Sequence, residues 1–201
     1  MKEYSLYKEW CGLLLILYSV MAAAVIAERL WSRWRLRKAT KAMETKVAGL
    51  LQAPTREAFA AAFAGSPAPL ALAMNYVFKQ GVLGSPETTL LMLDDGLERG
   101  AQLYKKNLAY IAALAGTAPF VGLLGTVLGI IKTFAAIAKE GFGGPAVVSF
   151  GISQALQATA VGLAVAIPCF IAYNLFLSAT NTAMGEVRMQ ANRILVALGD
   201  L

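Results

Sequence analysis

The chain contains no histidine. That removes Ser-His-Asp and Cys-His catalysis in their usual forms, and the common His-containing zinc sites with them. Charge is also scarce: 15% of the 201 residues are charged, where soluble domains carry about 25%, and 58% are hydrophobic. The two cysteines, Cys11 and Cys169, fall inside apolar runs, where a thiol usually serves as a small buried hydrophobe. Strand-like alternation and periodic repeats are missing, which leaves no support for a β or solenoid fold. From Asn107 to Ala138 and from Ala146 to Ser178 there is no aspartate or glutamate, so neither stretch brings a carboxylate of its own. Nothing in the sequence supports an enzyme, and no cofactor or metal is expected.

What remains is an all-α membrane protein. The first uncharged run, Cys11 to Ala27, has 17 residues, the short end of the roughly 17–25 that a spanning helix needs. Val25-Ile26-Ala27 could pass for a signal-peptide cleavage site, but signal peptides carry positive charge before the apolar core. Here the charge follows: seven bases lie between Arg29 and Lys46, with Glu44 as the single acid. This pattern reads as an uncleaved anchor with its N-terminus outside and a cytoplasmic basic flank near anionic lipid. The net charge of +6 does not indicate nucleic acid. Beyond Trp31 and Trp34, which suit a membrane interface, no aromatics are interleaved with the bases.

The expected organisation has three parts. Residues 1–30 hold an outer segment and the first span, residues 31–106 form a cytoplasmic helical region, and residues 107–201 form a two-span hairpin with a C-terminal cytoplasmic helix. In the middle part, alanine-rich helical patterns (Arg37 to Leu51, Thr55 to Ala64) are broken by Pro54, by Gly65-Ser66-Pro67-Ala68-Pro69, and by Gly81 and Gly84-Ser85-Pro86. Ser85-Pro86-Glu87 reads as a helix start, with Ser85 as N-cap and proline in the first turn. The acids Asp94, Asp95 and Glu98 precede the bases Arg99, Lys105 and Lys106, an order that complements the helix dipole on a solvated face.

The second span runs from Asn107 to about Ala138, or about 48 Å of helix. That exceeds a hydrocarbon core of about 30 Å, so Lys132 and Lys139 sit near an outer end where they can snorkel. Gly141-Phe142-Gly143-Gly144-Pro145 is the turn, and the last helix starts near Ala146 and carries Arg188 and Arg193 beyond its apolar part. At about 100° per residue, Gly122, Thr126, Gly129 and Thr133 share one stripe, and Thr159, Gly162 and Ala166 share another. Such stripes serve helix contacts, with threonine bonded to its own backbone, or they line a path; the residues alone leave both open.

Ala118-Pro119-Phe120-Val121-Gly122-Leu123-Leu124-Gly125-Thr126-Val127-Leu128-Gly129-Ile130-Ile131 resembles the second-span motif of the ExbB/TolQ/MotA ion-channel proteins, in the ExbB/TolQ form. Gly151 through Pro168, followed by Ala172-Tyr173-Asn174, resembles the third-span motif, and Ala27-Glu28-Arg29-Leu30-Trp31 is similar to the end of the first span in short ExbB proteins. The resemblance implies a homopentamer in a bacterial inner membrane, surrounding single-span ExbD- or TolR-like helices whose membrane aspartate carries the ion. A TonB- or TolA-like protein would receive the work. It also implies that Thr126 and Thr159 face the ion path; Thr133, on the stripe of Thr126, and Gln154 are the further lining candidates. Pro119 and Pro168 match kinks, while Gly122, Gly125, Gly129 and Gly162 are packing candidates by residue type.

ExbB and TolQ usually have glutamate where this chain has Gln154, and an amide cannot carry a proton by titrating. Either the partner's carboxylate suffices, or the ion is sodium held by threonine and amide oxygens. Gln154 and Thr159 stand about 140° apart on an ideal helix, so both cannot point at one lumen axis. The rival readings are a structural membrane scaffold and a MotA-like stator of a flagellar or gliding motor, although MotA-like chains have four spans.

Overall fold

A computed structural model of the chain describes residues 2–79, 85–141 and 143–200. Gly81, Gly84 and Phe142, which the sequence marks as breaks, lie outside the described residues. The described chain forms α1 (Lys2–Leu50), α2 (Arg56–Phe63), α3 (Pro69–Lys79), α4 (Pro86–Lys105), α5 (Leu108–Glu140) and α6 (Pro145–Leu198), with no strand among the described residues. Three helices are long and apolar enough to cross a membrane: Trp10–Leu50, Leu108–Lys139 and Pro145–Leu198. The chain divides into two compact units.

The first unit takes α1 up to Ala27 together with Asn107–Leu175. Its large apolar side chains face outward, Phe120, Phe150 and Phe170 being 71%, 67% and 63% exposed. Its buried positions include Cys11, Ala22, Ala118, Ala155, Ala166 and Cys169. Lipid tails are as apolar as leucine, so in a bilayer the helices have no need to turn their large side chains inward, and small residues take the contacts. Asn107, at φ 60, separates α4 from α5; asparagine enters the left-handed region more readily than most residues. Gly141, at φ 69, ends α5 with its N–H bonded to Ile137 O at 3.0 Å, which satisfies one of the helix's last carbonyls. Pro145 opens α6, where its missing N–H is not needed. Pro119 and Pro168 lie inside α5 and α6. They deprive the carbonyls of Ala115 and Ala164 of their helical donors.

The second unit takes Glu28–Lys106 and the chain from Phe176 onward, so the end of α6 belongs here and not with the hairpin. Its core buries large apolar side chains. It joins Met43 and Val47 of α1, Phe59 and Phe63 of α2, Leu70, Met74 and Val77 of α3, Leu93 of α4, and Val187, Ile194 and Leu195 of α6. Ser85 caps α4 as its sequence predicts, accepting from Thr88 N at 3.3 Å with Pro86 in the first turn. α4 lies so close to α3 that a Cβ on Gly96 would stand 2.7 Å from Ala73 O.

Three features differ from the sequence reading. α3 has no counterpart in it, because Pro69 was expected only to break a helix; at the first turn its fixed φ starts one instead. α1 runs unbroken from the first apolar run into the Arg37–Leu51 pattern and ends at Leu50. The α4 face is also not merely solvated, since Asp94 pairs with Arg188 at 2.7 Å, a half-exposed contact worth about 0–1 kcal/mol. In addition, the basic cluster is split by facing. Arg29 is fully buried and donates to the carbonyls of Leu103 and Tyr104 in the last turn of α4. Arg33 is buried too, donating to Phe176 O at 3.5 Å with its guanidinium 5.7 Å from that ring's centre. Charged donors on a helix's last carbonyls satisfy otherwise orphaned acceptors at the negative end of its dipole.

Candidate functional site

The hairpin of α5 and α6 is held at backbone distance by glycine. A Cβ on Gly122 would stand 2.8 Å from Ala158 O and 3.0 Å from the Thr159 Cα, and one on Gly162 would stand 2.8 Å from Ala118 O. Further along, a Cβ on Gly125 would meet Ala158 Cβ at 2.7 Å, and one on Gly129 would meet Ala155 Cβ at 2.8 Å. The two helices run antiparallel in this register, and each contact is one that any larger residue would force apart. All four packing glycines of the sequence reading therefore lie on the α5–α6 seam.

The hydroxyls on this seam differ in one respect. Thr126 is 6% exposed and donates to Leu123 O at 2.6 Å. Thr133 donates to Gly129 O at 3.0 Å, and elsewhere in the chain Thr117, Thr180 and Thr182 likewise bond the carbonyl four residues back. Thr159 does not: its Oγ1 is buried with no hydrogen-bond partner among the described residues. A buried hydroxyl left unpaired costs about 1–3 kcal/mol. It lies opposite Gly122, whose added Cβ would stand 3.0 Å from the Thr159 Cα.

The structure divides the four candidate path residues into two places. Thr133 and Gln154 line one cavity of about 200 Å³ towards the α5–α6 turn, together with Lys132, Gly129, Phe150 and Gly151. Thr126 and Thr159 are not part of that lining. Lys132, which the sequence sends to the interface, thus shares a cavity with Gln154. The sequence reading also passed over Ser149, Ser153 and Gln157, which line a shallow groove along α6 with Ile152, Leu156 and Ala160. The signal was available: the three polar residues recur every fourth position, so they share one helix face. Cys11 and Cys169 are buried and free, and no group of His, Cys, Asp or Glu among the described residues could hold a metal ion.

Three apolar helices, two of them joined into a glycine-seated hairpin with buried hydroxyls, define a membrane protein whose spans associate through small residues. The chain belongs to the MotA/TolQ/ExbB proton channel family, whose model matches residues 70–189. It is 52% identical over 77 residues to a biopolymer transport protein ExbB of Aquifex aeolicus, covering 37% of this chain and 52% of that protein. It is 36% identical over 110 residues to ExbB of Salmonella typhimurium, covering 53% and 45%. It is 39% identical over 90 residues to the Tol-Pal system protein TolQ of Pseudomonas aeruginosa, covering 45% and 39%. The chain spans about half the length of the curated relatives it matches.

Proposed function

We propose that this chain is the channel-forming subunit of an ion-driven motor of ExbB–ExbD or TolQ–TolR type in a bacterial inner membrane. Several copies, five on the family pattern, surround single-span helices whose membrane aspartate carries a proton or sodium ion, and a TonB- or TolA-like protein takes up the work. The N-terminus lies outside and the basic flank after Ala27 lies in the cytoplasm.

The observation that carries this reading is the Thr159 hydroxyl, held buried and unpartnered at a glycine-tight helix crossing. A scaffold whose stripes only pack helices gains nothing from such a group. An ion path does, because a hydroxyl free of its own backbone is available to an ion's hydration shell when the crossing opens. The Thr126 hydroxyl lies on the same seam, and the carbonyls of Ala115 and Ala164, freed by Pro119 and Pro168, add acceptors. Gln154 supplies an amide without a titrating proton, so the partner's carboxylate does the carrying. The exposed Ser149, Ser153 and Gln157 support assembly, since polar groups within a span are costly against lipid and favour facing protein or water.

Co-expression with candidate single-span membrane proteins carrying an acid in the apolar run, followed by native mass measurement, tests the assembly. The expected species holds five copies of this chain with the partner bound. A stable monomer that retains no such partner favours the scaffold.

A further inference from the structure

Just past the first apolar run, α1 presents two opposite faces. Arg29 and Arg33 turn inward and are buried. Trp31 and Trp34 turn outward, each 62% exposed, and each carries a cation one turn further on. The Arg35 guanidinium stands 6.0 Å from the Trp31 ring centre, and the Lys38 ammonium 5.6 Å from that of Trp34. On a 3.6-residue helix these four side chains fall within an arc of about 100°. We propose that this face is a seat for anionic phospholipid headgroups.

The depth fits. At about 1.5 Å per residue, Trp31 lies about 6 Å beyond Ala27 and Lys38 about 16 Å beyond it. The headgroup layer adds about 5–8 Å to each side of the hydrocarbon core, and a lysine reaches back along its four-carbon stem. Trp31 therefore lies where amphipathic rings are most stable, and Trp34, about 10 Å beyond Ala27, stands at the outer edge of the headgroups. The chemistry fits as well. A guanidinium stacked over an indole keeps its N–H fork free at the edge, shaped to grip a phosphate with two parallel bonds. The ammonium adds a point charge one turn further on. No carboxylate lies between Arg29 and Met43, so the face has no acid of its own to compete with phosphate. Nucleic acid is the other polyanion such a face could meet, but a seat that begins at the edge of an apolar span is presented to headgroups.

The test uses the full chain in phosphatidylcholine bilayers with Trp10→Phe, which leaves Trp31 and Trp34 as its two tryptophans. A minority of brominated phosphatidylglycerol or of brominated phosphatidylcholine is added, and quenching is compared. The proposal expects several-fold stronger quenching per mole by the anionic lipid. It expects Arg35→Gln with Lys38→Gln to bring that preference down to near one while the emission stays blue-shifted. Equal quenching by the two lipids overturns it, as does a preference that survives loss of both cations. Absence of quenching by either lipid shows the face covered by protein and also overturns it. So does a short RNA that shifts the emission in bilayers free of anionic lipid.

Discussion

Changing Thr159 to valine keeps the branched shape and removes only the hydroxyl. If that hydroxyl has no partner, its loss removes a desolvation cost of about 1–3 kcal/mol. If it were bonded within the protein, the loss would cost about 0.6 kcal/mol, the average for side-chain bonds between membrane helices. The two cases differ in sign, which makes the measurement decisive. Thr126→Val is the matched control: its hydroxyl already bonds Leu123 O, a carbonyl that keeps its backbone donor, so a loss of at most about 0.6 kcal/mol is expected. The assay is thermal or denaturant unfolding of the purified complex, run beside ion flux on the same preparations. Thr159→Val should unfold at the same or a higher temperature than the parent and conduct less. The reasoning is refuted if Thr159→Val destabilises the complex more than Thr126→Val does, or if it conducts like the parent.

Gly122→Ala or Gly162→Ala should each cost about 1–3 kcal/mol by pressing a methyl group into a backbone carbonyl, whereas Gly116→Ala, with nothing within 4 Å, should be neutral or slightly stabilising; unfolding of the three variants checks this. Gln154→Glu should assemble while Lys132 stands in the same cavity and should lose about 2.5–3.5 kcal/mol when Lys132→Met is added, read as the assembled fraction of the single and double variants. A cysteine at Gly144, where no neighbour lies within 4 Å, should react with an impermeant thiol reagent from the outer face alone once Cys11 and Cys169 are changed to alanine; labelling from the inner face reverses the proposed orientation.

The three long apolar helices were legible in the sequence because apolar length sets a span almost by itself. The cap at Ser85 and the glycines of the seam were also legible, through residue types with few alternative uses. α3 was not, because a proline means a break inside a helix and a start at its first turn, and only the neighbouring chain decides between them. The inward turn of Arg29 and Arg33 was hidden for a similar reason. Seven bases close together read as one cationic flank, and the carbonyls that draw two of them inside come from Leu103, Tyr104 and Phe176, far along the chain. The company of Lys132 and Gln154 depends on the register of two helices, which spacing within either one does not fix. Thr159 could be chosen by motif, but its freedom from its own backbone is a fact of rotamer and packing.

The central claim is that the glycine-seated hairpin conducts. Ion flux through the purified complex of this chain and its single-span partner, reconstituted in liposomes with an imposed membrane potential, tests it most directly. The account predicts potential-driven proton or sodium flux that falls when Thr159 becomes valine and stops when the partner's membrane acid becomes an amide. A complex of intact mass that passes neither ion, or one whose flux ignores both changes, contradicts it.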